Sequence, residues 1–172
     1  VKILNPLSND LSIMRQSLIF SGLETLAFNI NRQQLDLKLF EFGKTYHNFD
    51  ERKEEFNHLS ILLTGNKSEK SWNSNKTEVD YFYLKGIVKA VLDRLGIKKF
   101  KSFPLSNDIL NEGQQLNVGK HSIVEFGSLK TIALTPFGIS QKVFCANFNW
   151  DNLIKVINQN TIKFKDISKY PE

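Results

Sequence analysis

The sequence predicts an α+β domain, a mostly antiparallel sheet flanked by helices, and three observations carry that reading. Short segments alternating between apolar and polar residues follow one another in runs, with few helical patterns between them. A doubly wound parallel sheet would instead interleave each strand with a helix. The chain has 172 residues, the length of one ordinary domain, so 1–172 is read as a single unit. Its composition, 41% hydrophobic with fourteen phenylalanines, supplies a core and excludes whole-chain disorder.

Taken in order, an extended start ends at Asn5-Pro6, because the residue before proline is pushed out of the helical region. Met14, Leu18, Leu26 and Ile30 then fall on a four-residue repeat flanked by Ile19, Leu23 and Ala27, which predicts an amphipathic helix capped by Ser17 and closed by Asn31-Arg32. Residues 37–47, LKLFEFGKTYH, predict a strand with Phe40, Phe42 and Tyr46 on one face, read as sheet packing. A polar loop over 48–57 and a second strand over 58–65 complete a long-looped hairpin. A soft Lys/Ser/Asn stretch at 66–77 follows, in which Trp72 suggests a docked loop.

The clearest helix is 81–95: Asp80 caps it, Leu84, Val88, Val91, Leu92 and Leu95 form its buried stripe, and Gly96 supplies the left-handed stop. Strands are predicted at 98–103, at 115–118 and 121–126 around Gly119-Lys120, at 130–135 and at 143–150. Asp151 is read as the cap of a last short helix, and the tail 161–172 as the start of a linker to a following domain. With Val1 opening the chain and Met14 its only methionine, the sequence is expected to be a slice of something longer.

No catalytic set emerges from composition or spacing. The net charge is +5, and the densest basic clusters, Lys98-Lys99-Lys101 and Lys163-Lys165-Lys169, read as solvated lysines rather than a nucleic-acid stripe. The three histidines, His47, His58 and His121, fall short of a zinc ligand set, although two could meet across the hairpin. Gly113 and Gly119-Lys120 imitate a phosphate loop, but five residues separate the glycines where four are required, and His121 stands where a hydroxyl must reach magnesium. Cys145 is alone, so no internal disulfide is possible. With no secretion signal and no apolar run near the roughly 18 residues a membrane span needs, a cytoplasmic location without membrane contact is expected.

An ordered string of segments does stand out: Asn5-Pro6-Leu7-Ser8, Met14-Arg15-Gln16-Ser17-Leu18, Leu39-Phe40-Glu41-Phe42-Gly43-Lys44-Thr45-Tyr46, Asp80-Tyr81-Phe82-Tyr83-Leu84-Lys85-Gly86 and Lys169-Tyr170-Pro171. Together they resemble the β-subunit family of bacterial phenylalanyl-tRNA synthetases, specifically its class II synthetase-like core. The resemblance implies a class II fold in which Pro6 ends motif 1, residues 39–46 open motif 2 and 143–157 fall at motif 3. It implies a partner, the α subunit in an (αβ)₂ heterotetramer, acting on tRNA(Phe) with ATP and Mg²⁺ supplied to the holoenzyme. It also bears on activity. A class II site needs one arginine at the end of the motif 2 strand and another in motif 3, both holding developing negative charge. Here the strand ends Thr45-Tyr46-His47-Asn48, and 137–153 contains no arginine. An imidazole lacks the charged fork of a guanidinium.

The chain is therefore expected to hold no catalytic, substrate-binding, metal or cofactor residues of its own. Pro6, Met14, Arg15 and Leu18 are the expected subunit-interface residues, with Arg15 alternatively pairing a carboxylate such as Glu41. A stand-alone RNA-binding module driven by the positive charge is the alternative.

Overall fold

The computed structural model describes residues 1–3, 13–49, 52–68 and 77–159. Pro6, Trp72 and the tail 161–172 lie outside them. The elements run α1 (Ile19–Ile30), β1 (Leu37–Phe49), β2 (Arg52–Thr64), α2 (Tyr81–Arg94), β3 (Lys101–Leu105), β4 (Leu110–Val118), β5 (His121–Leu129), α3 (Thr131–Leu134), a 3₁₀ turn (Thr135–Phe137), β6 (Val143–Asn149) and α4 (Trp150–Gln159). The strands form one six-stranded sheet in the order β1-β2-β6-β5-β4-β3, every neighbouring pair antiparallel. The α+β expectation holds.

Period-2 alternation divides this sheet into two unlike faces. One carries Leu59, Ile61 and Leu63 of β2, Val124 and Phe126 of β5 and Phe144, Ala146 and Phe148 of β6. It packs against Leu84, Val88 and Leu92 of α2 and Leu153 and Val156 of α4. The other is apolar only at one end, where Leu62, Cys145, Leu129 and Leu110 meet Ile19, Leu23 and Leu26 of α1 and Leu134 and Ile139. Each fully buried side chain of this size contributes about 1.5–3 kcal/mol.

Local chemistry explains where most elements begin and stop. Asp80 sits extended and accepts from the Tyr83 N–H at 2.7 Å, and Gly96 turns the chain at φ 75° after α2. Gly119, at φ 58°, closes the β4–β5 hairpin.

Five expectations need correction. Met14 is not helical: α1 begins at Ile19, because the Ser17 hydroxyl accepts from the Ile19 N–H two residues on, a turn that precedes the helix. The charged stretch 48–57 is largely strand. β1 and β2 pair over thirteen positions, from Leu37 opposite Thr64 to Phe49 opposite Arg52, and alternating charges meet across the ladder, as Lys44 meets Glu55 at 2.8 Å. Phe40 and Phe42 are not core. They are 73% and 55% exposed because β1 is an edge strand whose outer face extends beyond the helices.

Residues 130–135 are helical, since Pro136 cannot donate to a ladder but suits the first positions of the 3₁₀ turn, which Gly138 ends at φ 67°. Asp151 lies inside α4. Asn149 takes the capping role by accepting from the Asn152 N–H at 2.9 Å, while Asp151 receives the Asn57 backbone and side-chain N–H groups at 2.8 Å each.

Candidate functional site

The sequence-expected interface residues meet the sheet at the free edge of β1. The Tyr46 N–H donates to the Arg15 carbonyl at 2.9 Å, the Met14 N–H donates to the Val1 carbonyl at 2.9 Å, and Lys2 bridges Ile13. The chain before α1 therefore lies along β1. The Arg15 side chain then folds over the sheet, Nε donating to the Lys44 carbonyl at 3.0 Å and Nη1 to Glu41 Oε1 at 2.5 Å. Gly43 makes the room: a Cβ there would stand 2.3 Å from Arg15 Nη2 and 3.0 Å from Leu18 Cδ2. That explains a glycine inside a long strand, a feature visible in LFEFGK but without a reason until Arg15 was placed.

Of the four proposed interface residues, Pro6 lies outside the described residues. Arg15 is exposed and makes the carboxylate pair foreseen as its alternative, Met14 is half-buried, and Leu18 is buried at 2%. Leu18 is thus a core side chain within this chain, while Met14 and Arg15 lie at the surface.

Beyond α1 this face of the sheet is polar. Glu41, Ser60, Asn147, Glu125 and Gln115 stand opposite one another across five consecutive strands, with Gly43, His58 and Asn149 as the next row. The Ser60 hydroxyl is buried without a full hydrogen bond and rests against the Cys145 thiol, which burial pushes up to about 12. That cysteine is an inert core group rather than a nucleophile. Burial also pushes Glu125 above the usual carboxylate range and His58 below the usual imidazole range, the latter partly offset by Asp151. His58 Nδ1 is buried without a partner. This row was missed in the sequence because it exists only through the register of five strands.

The face offers acceptors and amides but no free guanidinium. The chain has four arginines. Arg15 is committed to Glu41 and Lys44; Arg32 lies 3.4 Å over the Phe28 ring; Arg52 sits at the hairpin tip beside Glu54; and Arg94 ends α2. At the end of β1, His47 Nε2 is 3.1 Å from Thr45 Oγ1, and the ring stacks on Phe49 and meets Phe56 edge-on. His47 faces Glu54 and His58 faces Gly43, so the two imidazoles are not opposed across the hairpin. Among the described residues no three His, Cys, Asp or Glu side chains gather as a metal site. Gly113 is a ladder residue of β4 and not part of a phosphate loop.

A six-stranded antiparallel sheet backed by two helices, with a polar central face, defines a class II aminoacyl-tRNA synthetase-like fold. Two solved structures of pyrrolysyl-tRNA synthetase from Desulfitobacterium hafniense share it. One has a TM-score of 0.62 at 17% identity over 84% of this chain and 50% of that one. The other has a TM-score of 0.65 at 16% identity over 90% and 53%.

Within that class, residues 1–150 match the family described as the phenylalanyl tRNA synthetase beta chain CLM domain, and the chain belongs to it. The phenylalanine–tRNA ligase beta subunit of Fusobacterium nucleatum subsp. nucleatum is 36% identical over 179 residues, covering 100% of this chain and 22% of that protein. Its counterpart from Bacteroides thetaiotaomicron is 37% identical over 184 residues, covering 99% and 22%. The chain thus spans about a fifth of the length of the curated relatives it matches.

Proposed function

We propose that this chain is the catalytically silent class II-like domain of a phenylalanine–tRNA ligase β subunit, which supports an α subunit in ATP-dependent charging of tRNA(Phe) in the cytoplasm. The observation that carries the reading is the fate of the arginines. The guanidinium beside the middle of the polar face, Arg15, is bound to Glu41 and to the Lys44 carbonyl, and Arg52 stands away at the hairpin tip beside Glu54. Losing one preorganised donor of this kind typically costs about 10²–10³ in rate, and here two are absent.

An interface role is supported by the apolar surface of β1. Phe40 and Phe42 border a groove of about 330 Å³ floored by Leu59, Ile61 and Leu63 and walled by Ile87 and Val91 of α2. Monomeric proteins seldom leave such surface open. Met14 and Arg15, at the same edge strand, belong to the contact, and the assembly is an (αβ)₂ heterotetramer whose ATP and Mg²⁺ are held by the α subunit.

Two measurements test this. The complete β chain should retain α subunit in a pull-down, and Phe40→Lys together with Phe42→Lys should weaken that capture at least tenfold. Phenylalanine-dependent pyrophosphate exchange by the β chain without α should stay at background. Clear exchange would overturn the silent-site reading, and failure to retain α would overturn the supporting role.

A further inference from the structure

Between α2 and the edge strand β3 the sheet face carries two hollows, of about 590 and 110 Å³, which share Gln114. Tyr81, Ser106 and Glu112 line the larger, and Lys85, Lys89 and Phe100 the smaller. Pro104 stands opposite Gln114 and Ser102 opposite Leu116, so the hollows follow one another along β4. They form a single trough, roughly 13 Å from Glu112 to Leu116 at about 3.3 Å per residue. Its two parts differ in charge. Glu112 is exposed beside the larger hollow, and Lys85 and Lys89, exposed and one helical turn apart, stand beside the smaller. The ion pairs among the described residues use none of these three. The Lys85 ammonium lies 6.0 Å from the centre of the Tyr81 ring.

The middle of the trough is apolar, with Phe100 and Leu116 against Val88 of α2, and Gln114 Oε1 is buried there with no hydrogen-bond partner. A buried carbonyl left unpaired is costly and calls for an N–H donor. These features describe an occupant. A polypeptide segment supplies a main-chain N–H, an apolar side chain, a base for Glu112 and an acid for the two lysines. A fatty chain would leave Gln114 and Glu112 unmet, and a polyanion would bring like charge to Glu112. Pro104 inside β3 disfavours strand addition along that edge, so the segment lies over the face. The area decides where the segment comes from. So short a trough buries far less than the roughly 1,000 Å² that a stable contact between separate proteins needs. A tethered segment, acting at about millimolar effective concentration, needs no such area. On the reading proposed above, the β polypeptide is about five times as long as this chain, as its relatives are. An α subunit held at β1 would stand at the opposite edge, five strand spacings or roughly 24 Å away.

We propose that this trough is an intramolecular docking site for an extended segment of the β polypeptide from outside residues 1–172. The segment presents a base to Glu112, a main-chain N–H to Gln114 Oε1, an apolar side chain to Phe100 and an acid to Lys85 and Lys89. The proposal rests on the reading of this chain as one domain of a β subunit. It shares no residue with the subunit-pairing surface of Met14, Arg15, Phe40 and Phe42.

The test uses the complete β chain, with and without α, carrying the photoreactive residue p-benzoylphenylalanine at Ser106 on the exposed rim. Cross-links should form within one β chain and map to a segment outside residues 1–172, in which an apolar residue lies between a base and an acid. Lys85→Glu/Lys89→Glu and Glu112→Lys should each lower the yield at least about threefold, and Gln114→Leu about fivefold. Circular dichroism checks that each variant keeps the fold. Cross-links that join β to α, join two β chains or stay within residues 1–172 would overturn the proposal. So would the absence of any cross-link, a mapped segment without that charge order, or charge-reversed variants that behave like the parent. α-Subunit retention should be unchanged in every variant. A parent β chain that fails to retain α, yet cross-links as expected, would overturn the supporting role and leave the docking site standing.

Discussion

Gly43 and Arg15 illustrate how one residue's absence of a side chain positions another's presence. Alanine in place of glycine in a strand ordinarily gains about 0.5–1 kcal/mol from the unfolded chain. At Gly43 the new methyl group would collide with Arg15 Nη2 and press on Leu18, so Gly43→Ala should instead destabilise by about 1–2 kcal/mol. Urea unfolding would read this as a lower midpoint at unchanged slope. Glu41→Gln should cost under about 1 kcal/mol, because the pair it breaks is more than a third exposed and screened by water.

Two further residues give opposite pH signatures. Burial lowers the His58 value. Below about pH 6.5 the unfolded chain therefore takes up a proton that the folded chain resists. Stability should fall as pH drops through that point and level off below the folded value, and His58→Gln should flatten the fall. Burial raises the Glu125 value, so its ionised form destabilises the fold at neutral pH. Glu125→Gln should be stabilising at pH 7, with the gain disappearing below about pH 4. Thermal unfolding across pH 4–8 checks both, and no pH dependence in either difference would contradict the burial argument.

At the scale of the element, the bounds and caps of α2 were legible because their signals are local, whereas Val91 and Leu95, expected in its buried stripe, are only partly buried. A capping carboxylate, an apolar stripe and a terminal glycine are chemical identities at fixed spacing, and no distant strand was needed to read them. The same helix yields a prediction. Gly86 lies in its interior with open space around its Cα, so Gly86→Ala should raise stability by about 0.5–1 kcal/mol, while Asp80→Ala should cost about 1 kcal/mol. Chemical denaturation of the two variants measures the contrast directly.

The β1–β2 ribbon was the least legible element. Its outer half is built from charged residues that resemble a loop in isolation, and it becomes a strand only through cross-strand partners thirteen or fewer positions away. Residues 130–135 failed in the reverse sense. Their β-branched alternation favoured a strand, yet Pro136 and Gly138 ended any ladder before it could form.

For the molecule as a whole, the sheet's two faces divide the work. The face under α2 and α4 supplies the larger core cluster, with Phe126 and Phe148 fully buried. The opposite face is apolar only beneath α1 and otherwise polar, and it keeps the layout of a class II floor without a free guanidinium. The proposed partner surface lies at β1, one of the two strands, with β3, that the sheet leaves unpaired on one side.

The sequence by itself determined the α+β class, the positions of α2, β5 and β6 within a few residues, the family, the absence of any arginine from 137–153, and the Arg15–Glu41 pair as one of two options. These are matters of residue identity and order, which local chemistry reads directly. Only the tertiary structure decided which strand lies at an edge and so which aromatic residues stay uncovered. It alone assembled the Glu41–Gln115 row and explained Gly43. Alternation along a strand defines two faces, but what covers each face depends on contacts between residues far apart in the chain.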